Sequence, residues 1–374
     1  MIPEEFKPRT KGQKKLVETL YKKDSSIVGV FGLSGTGKSM ISLVYGVGAV
    51  LSGSFKRVIV SKPIIDVSRG EEIGLASTSI EWVESVKSYV RDLVSRYYGM
   101  ETIEELERNK MLVYVHPYLL RGRSFDDSVI IFDDSQNTSP DAVIEMMLRL
   151  GEGSRLIIIG DPVLQSGSLN GARLARKLLI GEMEDAEVVD LGLKDIVRPG
   201  ARRGIKLFFE LRMRKRPLTE AEKNALLAVN SYAPDADVVT VLDLRSLKDK
   251  WSVKSGHTPD FLVVVKEGFL PRLIGSRGER ISRIEEELSA SVRGVEFNLD
   301  FTGIIKAVHP VGWVSKHVRD VDILGSDLVV TVGKEGIGAF LGQKGFYAKF
   351  LEDTMEKLIG IGFYVRESKS KPRR

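Results

Sequence analysis

The stretch Ile27 to Ser39, IVGVFGLSGTGKS, decides the fold. Ile27 to Phe31 is an unbroken apolar run rich in β-branched residues, the pattern of a strand buried on both faces of a parallel sheet. It leads straight into Gly32 to Ser39, spaced G-x-x-x-x-G-K-[ST], and Met40 to Leu51 beyond it has helix-compatible spacing. A glycine-rich loop between a strand and a helix start is built to hold phosphate. Gly35 and Gly37 let backbone N–H groups curl around phosphate oxygens, and the helix N-terminus adds positive potential. Lys38 would neutralise β/γ oxygens. Ser39 would offer its hydroxyl to Mg²⁺, an ion that keeps several waters and needs few protein ligands. Gly32, Ser34, Thr36 and Met40 complete the nucleotide-binding set from this segment.

Further apolar runs at Arg57 to Ser61, Val129 to Phe132 and Arg155 to Ile159 read as companion strands, and Ile80 to Tyr97 and Asp141 to Leu150 as helices between them. Strands alternating with helices predict a doubly wound α/β domain over residues 1–200. Ligands in such sheets gather at the carboxyl ends of strands, so the polar residues found there are candidates. Asp133 and Asp134 follow one strand: Asp133 would bind Mg²⁺ through water and Asp134 would orient an attacking water as general base, although a carboxylate pair after a strand is also a common helix cap. Asp161 and Gln165 follow another, where Gln165 would sense a γ-phosphate or simply shape a turn.

These residues resemble the PhoH-type ATPases, a P-loop family related to the superfamily 1 helicases. The stretch RGRSFDDSVIIFDDSQNTSPDAVIEMMLRLGEGSRLIIIGDPVLQ, residues 121–165, is similar to the family's RGRT, DEAQN, TRxGxxS and GDxxQ motifs in order and spacing. SKPIIDVSRGEEIG after the second strand and RTKGQ at residues 9–13 resemble two more. The resemblance covers roughly residues 8–200. It implies a RecA-like NTPase in which Gln13 contacts adenine, Lys38 and Ser39 the phosphates and Mg²⁺, Asp133 the metal, and Gln165 the γ-phosphate. Arg121 and Arg123 would flank the site. Arg198, in DIVRPG, resembles a family arginine that would act as a finger across a subunit interface in a ring, or else is a surface arginine. The sequence departs from the family at Asp134, which replaces glutamate, and at Ser135, which replaces alanine. A lost methylene withdraws a base by about 1.3 to 1.5 Å, and misplacement of that order can cost ~100-fold in rate, so slow hydrolysis is expected.

Composition bounds the rest. The 374 residues suggest two or three domains, and 43% hydrophobic with 29% charged residues is the balance of a globular chain with real cores. With no cysteine, disulfides, thiolate nucleophiles and sulfur-ligated zinc are excluded; four scattered histidines leave oxygen as the ligand for any metal. No apolar run is long enough for a membrane span, and the polar N-terminus does not read as a signal peptide, so a cytoplasmic protein is expected. A net charge of +5 favours an anionic partner.

The last third repeats itself. FLVVVKEGFLPRLIGSRGERISRIEEEL and LVVTVGKEGIGAFLGQKGFYAKFLEDTMEKL both run strand, short helix, Gly-x-x-Gly turn, longer helix, 67 residues apart. A bare G-x-x-G carries little, since 36 glycines yield about three by chance. In the first copy, however, Leu273 and Ile274 precede the turn and Ile281 and Ile284 follow it, which resembles the KH signature. That resemblance implies a strand of RNA, or single-stranded DNA, gripped at Gly275, Ser276, Arg277, Gly278 and Arg280, and at Gly342, Gln343, Lys344 and Gly345 of the second copy. Phe346 or Tyr347 could stack on a base or belong to the core. The expected architecture is an α/β P-loop NTPase domain at 1–200, a basic helical connector at 201–257, small α+β KH domains at 258–320 and 321–368, and a basic tail at 369–374. The basic run from Arg198 to Pro217, leading into the connector, is either a solvated helix face or a phosphate-tracking surface, and Thr219 with Glu222 forms a capping box.

Together these features predict an ATP-hydrolysing, RNA-binding protein, an RNA helicase or remodelling factor working as a homo-oligomer. Two alternatives stand beside it: a non-motor switch whose RNA affinity follows its ATP or ADP state, and a small-molecule kinase.

Overall fold

The computed structural model describes residues 2–63, 65–66, 71–72, 79–120, 122–164 and 171–368. The chain divides into two units, residues 1–202 with 324–326, and 203–323 with 327–374.

The first unit runs α1 (Lys11–Leu20), β1 (Ile27–Gly32), α2 (Lys38–Leu51), β2 (Arg57–Ser61), the short β3 (Ile65–Asp66) and β4 (Glu71–Glu72), α3 (Ser79–Tyr98), α4 (Met100–Arg108), β5 (Leu112–Tyr114), β6 (Ser128–Phe132), α5 (Pro140–Met147), β7 (Arg155–Gly160), α6 (Gly171–Gly181) and β8 (Ala186–Leu191). Six strands form one sheet in the order β5-β2-β6-β7-β1-β8, parallel throughout. Every residue of β1, β6 and β7 is buried, because helices cover both faces of a doubly wound sheet. Each fully buried Val, Ile or Leu there contributes about 1.5–3 kcal/mol. Truncating Ile131, fully buried against β2 and α2, would cost about 2–5 kcal/mol. The four strands expected from the sequence are present. The edge strands β5 and β8 were not among them: β5 has only three residues, and the apolar run of β8 (AEVVDL) is broken by Glu187 and Asp190.

The second unit opens with α7 (Ala201–Arg214) and α8 (Glu220–Tyr232), followed by β9 (Val238–Asp243), α9 (Arg245–Lys250), β10 (Phe261–Val265), α10 (Leu270–Ile274), α11 (Glu279–Leu288) and β11 (Val292–Glu296). Then come α12 (Thr302–Val308), β12 (Val318–Leu324), β13 (Asp327–Val332), α13 (Ile337–Leu341), α14 (Phe346–Ile359) and β14 (Gly362–Glu367). Two three-stranded sheets result, β11-β10-β9 and β12-β13-β14. In each, the strand before the G-x-x-G helices runs parallel to the strand after them.

The expected connector at 201–257 is therefore not a linker. β9 pairs antiparallel with β10, and Ala225, Val229 and Val241 share a core with Val263, Leu273 and Ile284. A three-stranded sheet needs that third strand to close its core, which a G-x-x-G signature beginning at β10 does not reveal. The capping box is formed: Glu222 N–H donates to Thr219 Oγ1 at 3.3 Å and Thr219 N–H to Glu222 Oε2 at 2.8 Å. Three arginines of the basic run hold the fold. Arg212 donates to the Ile359 carbonyl at 2.8 Å, Arg214 pairs with Glu210 and Asp237, and Arg216 pairs with Glu222.

Candidate functional site

Four adjacent strands, β2, β6, β7 and β1, end at the same edge of the large sheet. They deliver Lys62, the Asp133–Asp134 pair, Asp161 and the 32–39 loop to a cleft of about 410 Å³, lined by Lys38, Ser39, Lys62, Asp134, Asp161 and Arg198 among others. The loop backbone turns through Gly35 and Gly37 at φ 84° and 91°. A Cβ on Gly35 would lie 2.5 Å from the Ala201 side chain, so both conformation and space demand glycine there.

Lys38 bends back over its own loop, donating to the Gly32 and Leu33 carbonyls at 2.7 and 2.9 Å. Burial lowers its pKa, against the upward pull of Asp161 and Asp133. Ser39 Oγ donates to Asp133 Oδ1 at 2.8 Å, and Tyr89 OH donates to Asp133 Oδ2 at 2.7 Å. Burial together with Asp133 pushes the Tyr89 phenol well above its ordinary value, keeping it a donor. Asp134 sits at φ 54°, its carboxylate paired with Lys62 and accepting from Gln136 Nε2 at 3.1 Å. Asp161 is buried; Oδ1 accepts from the Val163 and Leu164 N–H groups at 3.0 and 2.9 Å. Burial raises its pKa and Lys38 pulls it down.

Gln13 is 2% exposed. Its Nε2 donates to the Thr36 carbonyl at 2.9 Å and its Oε1 accepts from Arg9 N–H at 2.8 Å, so it braces the loop. The helix carrying it is docked by Asp195, which accepts from Gly12 N–H at 3.0 Å. Thr36 Oγ1 donates to the Leu33 carbonyl at 2.8 Å, and Ser34 and Met40 line the cleft. Arg198 lies beside the phosphate loop. Val197 and Arg198 N–H both donate to the Gly35 carbonyl, at 3.0 and 3.3 Å, and the Arg198 side chain lines the cleft of its own chain. Gln165 and Arg121 lie outside the described residues, and Arg123 is exposed on a turn. Lys62, Tyr89 and Gln136 were missing from the expected site, and Asp161 was a candidate there without a stated role. The position of Lys62 immediately after a buried strand was a usable signal, whereas nothing in the helical run around Tyr89 marks it.

In the second unit the two G-x-x-G turns share one backbone conformation. Gly275 and Gly342 have φ/ψ of 75°/179° and 70°/177°, a region open essentially to glycine alone. Arg277 and Lys344 both lie at φ 53° with ψ 23° and 21°. Gly278 and Gly345 start their helices at 84°/8° and 75°/16°. Ser276, Arg277, Gln343 and Lys344 are exposed at the two tips. Arg280 is not at a tip. It pairs with Asp235, donates to the Arg272 carbonyl at 2.7 Å, and its stem lies where a Gly275 Cβ would be. Tyr347 takes the same place over Gly342 and packs on the His309 ring, while Phe346 packs near Trp251. Both aromatics are thus engaged within the fold.

A parallel sheet with a phosphate-shaped loop after its first strand and a carboxylate pair two strands away defines a P-loop nucleotide-binding unit. The chain belongs to the PhoH-like protein family, whose sequence profile matches residues 5–210. A PhoH-like protein of Bacillus subtilis is 30% identical over 196 residues, covering 51% of this chain and 59% of that one. One from Synechocystis is 29% identical over 197 residues, covering 51% and 58%. The chain thus spans a little over half the length of these curated relatives. The crystal structure of Pif1 helicase from Candida albicans overlaps 70% of this chain and 64% of its own at 13% identity and a TM-score of 0.29, too low to bear on fold or activity. Among the described residues, no helix is long and apolar enough to cross a membrane, and no cluster of three His, Asp or Glu could hold a metal.

Proposed function

We propose that the chain binds and hydrolyses ATP in the first unit and holds single-stranded RNA at the two G-x-x-G turns of the second, as an RNA helicase or remodelling factor. The observation that carries the nucleotide reading is the convergence of Lys38, Ser39, Asp133 and Asp134 at one strand edge, with Ser39 and Asp133 in direct contact. Those two hard oxygen donors suit Mg²⁺, which keeps most of its own waters. When bound, the ion would supply positive charge to the β/γ oxygens. Backbone amides of the loop and Lys38 would bind the phosphates. Asp134 would accept a proton from the attacking water as its oxygen bonds to the γ-phosphorus, and the bridging P–O bond would break with its electron pair leaving on ADP. The RNA reading is supported by the matched, glycine-only turns with exposed Arg277 and Lys344, which would let a polynucleotide backbone approach closely. KH-like identity rests on that likeness.

The switch reading is favoured by one observation, the capture of the short Asp134 carboxylate by Lys62 and Gln136, which would slow hydrolysis. Measuring phosphate release with and without RNA, alongside RNA affinity in ATP and in ADP, separates the two. Strong stimulation by RNA carries the motor; nucleotide-dependent affinity without stimulation carries the switch.

A further inference from the structure

Lys62 stands where no motif of the phosphate loop accounts for it. It directly follows β2, whose last residue Ser61 is paired with Phe132, so Lys62 lies opposite Asp133 across the sheet. Its carbonyl is anchored by Trp82 Nε1 at 3.0 Å. Its ammonium pairs with Asp134, lies 3.6 Å from Asp133 Oδ2 with a side chain only 15% exposed, and sits 4.4 Å above the Tyr89 ring. A cation so enclosed is screened far less than a surface pair. It also lines the same cleft as Lys38 and Arg198.

We propose that Lys62 is a second phosphate-binding cation of the cleft, and that the terminal phosphate of a nucleoside triphosphate competes with Asp134 for its ammonium. The inference rests on the nucleotide reading above and deepens it. Lys38 reaches toward the loop, so its charge serves the phosphates cradled there. Lys62 approaches from three strands away, on the side of the carboxylate pair. A phosphate oxygen that draws Lys62 off Asp134 leaves that carboxylate with Gln136 as its remaining partner and with a lone pair for water. A diphosphate lacks the oxygen that competes. Lys62 therefore reads the third phosphate and uncovers the base in one movement, which couples recognition of ATP over ADP to the start of hydrolysis.

The test compares wild-type chain with Lys62→Met, Lys62→Gln and Lys62→Arg, titrated in magnesium buffer with ADP and with the β,γ-imido analogue of ATP. The neutral variants should lose triphosphate affinity by roughly tenfold or more, the size of one charge-assisted hydrogen bond, with ADP affinity within about twofold. Arginine should restore most of it, and saturated turnover in the neutral variants should fall by more than any change in KM. Lys62→Gln keeps a donor beside Asp134, so it serves if the methionine variant fails to fold. An equal loss for both nucleotides, or no loss for either, overturns the proposal. Wild-type chain that binds neither nucleotide overturns the nucleotide reading itself, a failure visible without any variant.

Discussion

Asp134→Glu probes the geometry of the base. The substitution carries the carboxylate about 1.5 Å further into the cleft, and since displacements near 1 Å are worth up to ~100-fold, turnover should rise between roughly tenfold and 100-fold. Gln136 Nε2 now donates to Asp134 Oδ1 at 3.1 Å, and the longer side chain must break that local contact while the backbone stays at φ 54°. Aspartate tolerates the left-handed region better than glutamate because its short side chain bonds nearby backbone and neighbours, so a stability loss of about 1 kcal/mol is expected. In a unit of about 200 residues this lowers Tm by about 2–4 °C. Phosphate release at saturating ATP, with KM measured separately, gives the answer. Turnover at or below wild type, with KM unchanged and only the small fall in Tm, refutes the argument that a shortened base limits the rate.

Three further outcomes follow from the second unit. Replacing Ser276 and Arg277 by Asp should weaken RNA binding at least tenfold in a filter or anisotropy assay and leave basal phosphate release as it was; unchanged affinity would remove the first turn from the interface. Gly275→Ala forces a Cβ to 2.6 Å from the Arg280 stem at a glycine-only φ/ψ, costing about 1–3 kcal/mol in chemical unfolding; a neutral result would mean that the turn relaxes freely. His309 is 1% exposed, its Nδ1 accepting from Val311 N–H at 3.0 Å, and burial holds its pKa below 6.5. The folded chain therefore favours the neutral ring, so its contribution is complete above about pH 6.5 and is lost as pH falls toward the depressed folded value. Urea midpoints at about pH 7.5 and 5.5 should fall more in wild type than in His309→Gln, and equal falls would contradict the assignment.

The sheet and its phosphate loop were legible because buried parallel strands are written as continuous β-branched runs, and because phosphate-binding backbone demands glycine at fixed spacing. The carboxylate pair was legible for a related reason: polar residues at the carboxyl end of a buried strand have few structural excuses. What escaped was set by distant partners. Tyr89 matters because of where α3 places it beside Asp133, and no local pattern encodes that; Lys62 had only its place after β2 to mark it. Arg280 looked like a phosphate ligand from its place after the turn, yet Asp235, 45 residues away, claims it. β9 was hidden in an apparent connector because its hydrogen-bond partner β10 lies beyond a polar segment. That the Gly35 carbonyl accepts from the Val197 and Arg198 N–H groups, and so brings Arg198 beside the loop, is likewise a contact that a sequence does not show.

The central claim is that the loop at residues 32–39 holds a nucleotide. Titration calorimetry of the folded chain with magnesium and ATP should give saturable heat that is lost or weakened by at least tenfold in Lys38→Ala, about the 1.5–3 kcal/mol of one charged contact. The absence of heat with any purine triphosphate, or binding indifferent to Lys38, would contradict the account.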